Sequence, residues 1–143
     1  MTLLVDTSVW SLALRRDAPP DIPEVGALHD ALSGDDLVVS TGLILQELLQ
    51  GFVPERAQTQ IAERFAGIGL VQPTREDHVA AAGLRNSCRK AGVQLGTVDA
   101  LIAQLAISHQ LLLLSTDKDF VHAARHSELL LWSAEGTVAA TDS

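Results

Sequence analysis

Residues 111–120, LLLLSTDKDF, combine two signals that predict a parallel α/β fold. The four leucines form a short apolar run, which is typical of a strand covered on both faces. The Ser-Thr-Asp that follows contains good helix N-caps, so we expect a helix directly after the strand. Residues 3–10, LLVDTSVW, repeat this order of strand, turn and helix. In both segments an aspartate, Asp117 or Asp6, stands just after the predicted strand.

The rest of the chain alternates strands and helices without hairpin signals. This favours a three-layer α/β/α domain around a central, mainly parallel sheet of about five strands. The predicted strands are residues 3–5, 37–40, 70–72, 111–114 and 129–132. The predicted helices are residues 9–14, 24–32, 41 or 42 to 50, 56–65, 75–91, 97–109 with Thr97 as its cap, and 117–126.

Length and composition favour one domain over residues 1–143, with a small polar tail at 136–143 that we expect to be frayed. Cys88 is the only cysteine, so no internal disulfide can form and the chain fits a reducing, cytoplasmic location. The N-terminus lacks a basic leader. No segment approaches the roughly 20 apolar residues that span a bilayer, so no membrane association is expected.

Four acidic residues, Asp6, Glu47, Asp99 and Asp117, lie close to hydrophobic segments. A buried ionised carboxylate is costly unless another group compensates its charge. In open parallel sheets, sites form beyond the carboxyl ends of the strands, where Asp6 and Asp117 are predicted. Glu47 and Asp99 are predicted on helices that could lean over the same edge. The sequence therefore predicts one acidic cleft that binds a divalent cation.

A purely structural interpretation competes with this prediction. Asp6, Asp99 and Asp117 could serve only as helix caps or as partners of a helix dipole. Glu47 is harder to explain in this way, because it lies in mid-helix among leucines and an isoleucine that surround much of the circumference. We therefore predict a helix buried on more than one side, and no basic residue lies three or four positions from Glu47.

Oxygen ligands without a cysteine or a convincing histidine pair favour Mg²⁺ or Mn²⁺ over zinc. One or two such ions would relieve the repulsion between the carboxylates, activate a water and stabilise a leaving oxygen. This chemistry requires no nucleophilic side chain. The nearby hydroxyl groups are therefore expected to orient the carboxylates, the substrate or the water; they belong to Thr7, Ser8, Ser115 and Thr116.

Four motifs together carry a resemblance to a known family. They are DTSVW at 6–10, the glutamate of QELLQG at 46–51, RNSCRKAGVQLGTVDALIA at 85–103, and LSTDKDF at 114–120. Each motif alone is weak, but their order and spacing extend over nearly the whole chain. The chain resembles the PIN-domain ribonucleases and, within them, the VapC-type toxins of bacterial toxin–antitoxin pairs.

The resemblance implies that Asp6, Glu47, Asp99 and Asp117 form the catalytic acidic quartet that binds Mg²⁺ or Mn²⁺. Asp119 matches a further acid often found beside it. Members of the family cleave RNA, often one structured RNA such as a transfer RNA, and usually form homodimers. A cognate antitoxin, whose peptide occupies the cleft, keeps them inactive. An RNA substrate, an antitoxin partner and a homodimer are thus expected.

The net charge of −8 is unusual for a nucleic-acid-binding protein, and the acidic quartet accounts for half of it. Arg85 and Arg89, four positions apart on one helix, are the best candidates for RNA contacts, followed by Lys90 and Lys118. A solvated helix face is the alternative interpretation of these residues. The acidic surface suits a basic protein partner.

We therefore predict a metal-dependent endoribonuclease toxin that hydrolyses RNA phosphodiester bonds. One alternative is a catalytically silent PIN-like binding module. The other is a phosphoacceptor signalling domain, which typically pairs adjacent acids after its first strand and places an aspartate after its third. Here Thr7 follows Asp6 and the predicted strand at 70–72 leads to Pro73, so both features are missing.

Overall fold

The computed structural model describes residues 2–15, 19–51, 54–135 and 138–139. The strands within these ranges are β1 (Leu3–Val5), β2 (Val38–Ser40), β3 (Gly69–Leu70), β4 (Leu112–Leu114), β5 (Leu130–Leu131) and β6 (Val138–Ala139). The helices are α1 (Thr7–Ala13), α2 (Pro23–Ser33), α3 (Gly42–Gly51), α4 (Glu55–Phe65), α5 (Arg75–Lys90), α6 (Thr97–Ser108) and α7 (Lys118–Ala124). In this part of the chain no helix is both long and apolar enough to cross a membrane.

The strands form one sheet in the order β3-β2-β1-β4-β5-β6. The first five strands in this order are parallel, which confirms the predicted α/β/α class, and β6 pairs antiparallel with β5. β6 consists of two residues of the tail predicted to be frayed, and the other residues of 136–143 lie outside the described residues. The strand order reverses between β1 and β4, so the crevice at their carboxyl ends is where a site is expected.

The two strands beside this crevice are buried on both faces. Leu4 and Val5 of β1, and Leu113 and Leu114 of β4, have no solvent-exposed surface. Val5 lies opposite Leu114, and the Asp6 N–H donates to the Leu114 carbonyl at 2.9 Å. The buried register therefore places the two turns that follow β1 and β4 side by side.

The first residue of α1 and the N-cap of α6 differ from the sequence prediction, and α2, α4 and α7 begin within one residue of their predicted starts. α1 begins at Thr7 rather than at residue 9, because Asp6 adopts the extended backbone of an N-cap. The prediction that Thr97 caps α6 is wrong: Gly96 is the N-cap, and its carbonyl accepts the Ala100 N–H at 2.8 Å. Asp99 consequently lies inside the first turn of α6.

A buried carboxylate outside the acidic cleft joins α5 to α6. Asp77 is 7% exposed and forms a capping box with Thr74, in which each side chain accepts the other residue's backbone N–H, at 3.1 and 2.9 Å. The Thr74 N–H bond is the main cause of the lowered pKa of Asp77, and Ser108 and His109 at the end of α6 add to it. Asp77 thus lies near the end of α6 opposite to Asp99.

Replacing Asp77 with alanine should destabilise the protein by about 1–2 kcal/mol, because the capping box and its link to α6 are lost. Because the pKa of Asp77 is lowered, its carboxylate stabilises the folded protein at pH values above the ordinary pKa of 3.8. This stabilisation disappears as the pH falls through the pKa of Asp77 in the folded state. Urea unfolding at pH 7 and pH 3 measures both effects. Glu76→Gln, at an exposed position in the same helical turn, is the control and should change little. Equal destabilisation at the two pH values would contradict the assignment.

Candidate metal centre

Asp6 is held by hydroxyl groups from both sides of the crevice. It is 6% exposed, and its Oδ2 accepts hydrogen bonds from Ser8 Oγ and Ser115 Oγ, both at 2.9 Å. Although Asp6 is the N-cap residue of α1, its side chain makes no capping bond. The interpretation of Asp6 as only a helix cap is therefore wrong. Because both hydroxyls bind Oδ2, they hold the carboxylate of Asp6 in one orientation.

The two serines are themselves fixed by the turn after β4. Ser8 Oγ accepts the Thr116 N–H at 3.2 Å, and Ser115 Oγ accepts the Asp117 N–H at 3.0 Å. Of the residues predicted to orient the carboxylates, Ser8 and Ser115 contact Asp6 directly, and Thr116 contributes its backbone N–H. Thr7 bonds a different acid. The backbone after β4 thus sets the position of the carboxylate after β1.

Three further aspartates lie close together at the same edge. One carboxylate oxygen from each of Asp99, Asp117 and Asp119 lies within 4.8 Å of the others. Asp117 Oδ1 also accepts the Asp119 N–H at 2.9 Å, so Asp117 caps α7 as well as joining this group. We refer to Asp99, Asp117 and Asp119 as the aspartate trio.

Asp99 connects the trio with the other two acids. Its pKa is raised to about 6, chiefly by desolvation and then by the charges of Asp6, Asp117, Glu47 and Asp119, in that order. These four acids come from three segments of the chain, yet all act on one half-buried carboxyl group. Asp119, the additional acid suggested by the resemblance, lies in the trio, whereas Asp6 lies outside it.

Glu47 reaches the site in a different way from the one predicted. Its side chain is exposed, and only Ile44 and Leu48 of α3 are fully buried, so the prediction of a helix buried on more than one side is wrong. The remaining leucines of α3 are only partly buried, because α3 packs one face on the core and leaves another to solvent. Glu47 Oε1 accepts a hydrogen bond from Thr7 Oγ1 at 3.1 Å, which ties it to the turn after β1.

The predicted RNA-binding cations occupy different environments. Arg85 is half-buried, and its Nε donates to the Leu95 carbonyl at 2.9 Å, which secures the loop before α6. Arg89, Lys90 and Lys118 are exposed. Since α5 and α6 run antiparallel, Arg85 and Arg89 lie toward the end of the helix pair that carries Asp99. Lys118 directly follows Asp117 in the chain.

A cavity of about 490 Å³ adjoins Arg85 between α3, α5 and α6. Leu43, Ala81 and Leu101 contribute to its apolar lining, together with Val98, which is 38% exposed. It contains none of the five acids, so it is separate from the candidate metal centre.

The donor set suits a hard divalent cation. The five acids offer only oxygen atoms, which Mg²⁺ and Mn²⁺ prefer. Desolvation and then repulsion from the other acids raise the pKa of Asp99, and a bound cation would relieve the repulsion. Asp99, Asp117 and Asp119 could hold the ion together with Asp6, while Ser8 and Ser115 keep Asp6 oriented.

Comparison with known proteins agrees with the fold. The PIN domain profile matches residues 3–126. Ribonuclease VapC11 of Mycobacterium tuberculosis is 30% identical over 129 residues, which cover 89% of this chain and 95% of the relative. VapBC2 from Rickettsia felis, solved bound to a promoter DNA fragment, matches with a TM-score of 0.74 at 20% identity, over 93% of this chain and 100% of the matched one. VapC20 of Mycobacterium tuberculosis, described as a sarcin-ricin loop cleaving toxin, matches with a TM-score of 0.67 at 19% identity, over 85% and 94% of the two chains. At these identities the two solved structures support the fold alone.

Asp99→Asn should stabilise the metal-free protein at pH 7.5 by about 1 kcal/mol. The gain is small because solvent screens the charge of the half-buried Asp99. Between the ordinary pKa of 3.8 and about 6 the folded state binds more protons than the unfolded state, so the wild type loses stability as the pH rises through this window. The gain should vanish at pH 4, where Asp99 is protonated. Urea unfolding in EDTA at both pH values measures this.

Asp30→Asn, which removes an exposed charge on α2, is the matched control and should show no such pH dependence. A variant Asp99→Asn that is less stable than the wild type at pH 7.5 would contradict the assignment of repulsion at this site.

Ser115→Ala should weaken Mg²⁺ or Mn²⁺ binding roughly 10-fold, because Asp6 loses one of its two orienting hydroxyls. Calorimetric titration with Mn²⁺ measures the affinity. Ser87→Ala, at an exposed position of α5, is the control. Unchanged Mn²⁺ affinity in Ser115→Ala would show that Asp6 needs no such support.

Proposed function

The chain belongs to the PIN-domain family and to its VapC group, and from this we propose that it is an endoribonuclease that hydrolyses RNA phosphodiester bonds with Mg²⁺ or Mn²⁺. We further propose that it is the toxin of a type II toxin–antitoxin pair. The observation that carries the proposal is the grouping of Asp99, Asp117 and Asp119, with one carboxylate oxygen of each within 4.8 Å of the others, at the edge of the sheet where Asp6 and Glu47 also act on Asp99. A fold that gathers these acids without neutralising them is suited to binding a cation.

The proposed mechanism assigns a task to each acid. Asp99 and Asp117 would hold the ion, and Asp119 and Asp6 would complete its oxygen ligands. Glu47 would act from the exposed rim of the site, beside Thr7. A bound divalent cation supplies Lewis acidity and a water activated for attack on the phosphodiester. Ser8 and Ser115 would keep Asp6 fixed while the substrate binds. No side chain in this scheme becomes covalently attached to the RNA.

The proposed substrate is a structured RNA. The resemblance favours a structured RNA, and a transfer RNA is the candidate we expect for this chain. Lys118 would contact the RNA beside Asp117. Arg89 and Lys90 could bind flanking phosphates from the end of α5. Arg85 would act mainly by holding the loop before α6, since its Nε already binds the Leu95 carbonyl.

A protein partner follows from the charge of the molecule. The net charge of −8 and the acidic edge suit a basic segment, which would occupy the cleft and exclude both RNA and metal. Solved relatives such as VapBC2 are complexes, which supports an antitoxin partner. We also propose a homodimer and a cytoplasmic location, in line with the resemblance and the single cysteine.

Purified protein should cleave RNA in Mg²⁺ or Mn²⁺ and lose this activity in EDTA. Asp6→Asn and Asp99→Asn should each lower the cleavage rate by roughly 100-fold or more, because the cation loses a ligand or its orientation. Asp30→Asn controls for the loss of one negative charge elsewhere. Cleavage is followed on total RNA, and sequencing the 5′ ends of the fragments identifies the target.

Full activity in EDTA or in Asp99→Asn would show that the mechanism is wrong. The absence of cation binding by calorimetry, together with the absence of cleavage, would instead favour a silent binding module.

A further inference from the structure

A second cavity, of about 470 Å³, adjoins the candidate metal centre. Its lining includes Ser115, Thr116 and Asp117, the turn that also supports the acidic cluster. It also includes Trp132, which directly follows β5. Leu113 lies opposite Leu131 in the sheet, and the backbone N–H of Trp132 donates to the Leu113 carbonyl at 2.9 Å. Trp132 is therefore held at the same carboxyl edge as Asp6 and Asp117.

Trp132 differs from the other aromatic residues that the structure describes. Trp10 and Phe120 are fully buried, and Phe65 is 4% exposed and packs against Trp10 with the ring centroids 4.7 Å apart. Trp132 is only partly buried. Among the described residues, it is the one aromatic side chain with appreciable exposure, and it lines a cavity next to a metal-ligand candidate.

The chemistry of this cavity suits a nucleobase. It combines an aromatic ring with the exposed, apolar Val121, the cation of Lys118 and the polar groups of Ser115 and Thr116. Unpaired bases of RNA are commonly recognised by stacking on aromatic side chains and by hydrogen bonds to their edges. The volume falls within the roughly 300–1,000 Å³ range of small-molecule pockets.

Charge provides a second reason for base recognition here. Phosphate contacts usually supply much of the affinity for nucleic acid, but this protein carries a net charge of −8. Stacking on an indole does not depend on net charge, so it can supply affinity where phosphate contacts are few. The adjoining acids fix where the scissile phosphate would lie, which places the stacked base next to it.

We propose that this cavity binds the base of a nucleotide flanking the scissile phosphate, stacked on Trp132, and so sets the sequence preference of cleavage. The inference rests on the proposed ribonuclease function. Trp132 is thus assigned as a specificity-determining residue rather than a metal ligand.

The two tryptophans of the chain allow a direct binding test, since Trp10 is fully buried. Adenosine is a suitable first probe, because it lacks a phosphate and the acids do not repel it; a short oligoadenylate RNA in EDTA follows. Both should quench the fluorescence of the wild type and of Trp10→Phe, and the quenching should be lost in Trp132→Leu. Thermal unfolding of each variant verifies that it is folded.

Cleavage kinetics provide the second test. Trp132→Leu should raise KM roughly 5- to 100-fold with kcat little changed, and should flatten the base preference beside the cleaved bond. Trp132→Phe should retain most of both, because the phenyl ring still stacks. The 5′ ends of the RNA fragments report the base preference directly.

The outcomes separate this inference from the ribonuclease proposal. If Trp132→Leu cleaves RNA with wild-type KM and base preference, the cavity is not a base site, although the proposed function stands. If the wild type neither cleaves RNA nor is quenched by adenosine, both proposals fail. Fluorescence that responds to a purified protein partner but not to adenosine or RNA would overturn the inference and identify the cavity as a protein-docking site.

Discussion

The central pairing of β1 with β4 is the constraint on which the rest of the structure depends. Both strands are completely apolar and buried on two faces, so their register cannot change without exposing leucine and valine side chains. This register places Asp6 beside Ser115 and brings Asp117 to the same edge. The acidic cluster is therefore a consequence of how the hydrophobic core is arranged.

Hydroxyl groups, rather than basic side chains, support the most buried of these acids. A serine hydroxyl orients a carboxylate without neutralising it, whereas an arginine in the same place would satisfy the charge and occupy the space of an ion. The carboxylate of Asp6 in turn contributes to the raised pKa of Asp99. The network around Ser8 and Ser115 thus stabilises a charged arrangement that remains open to an external cation.

The sequence predicted the alternation of strands and helices along the chain, the parallel sheet and the edge where the acids meet. Continuous leucine runs and helix caps are local signals, so they can be recognised without the structure. It did not predict the environment of Glu47, since the number of leucines around a helix does not tell which of them a neighbouring helix covers. It predicted that Ser115 orients a carboxylate but not that this carboxylate is Asp6, because the contact joins residues far apart in the chain. The cavity beside Trp132 depends on strand neighbours in the same way, and no local pattern marks it.

Within the described residues, the sheet ends on one side in β3, a strand of two residues. Such short edges offer few unpaired backbone groups, which disfavours the addition of a strand from another molecule. The helical layers are therefore better suited than this edge to association with a second copy of the chain. Among the described residues, the apolar cavity between α3, α5 and α6, with the exposed Val98 at its rim, is a surface of the kind that such an association would bury.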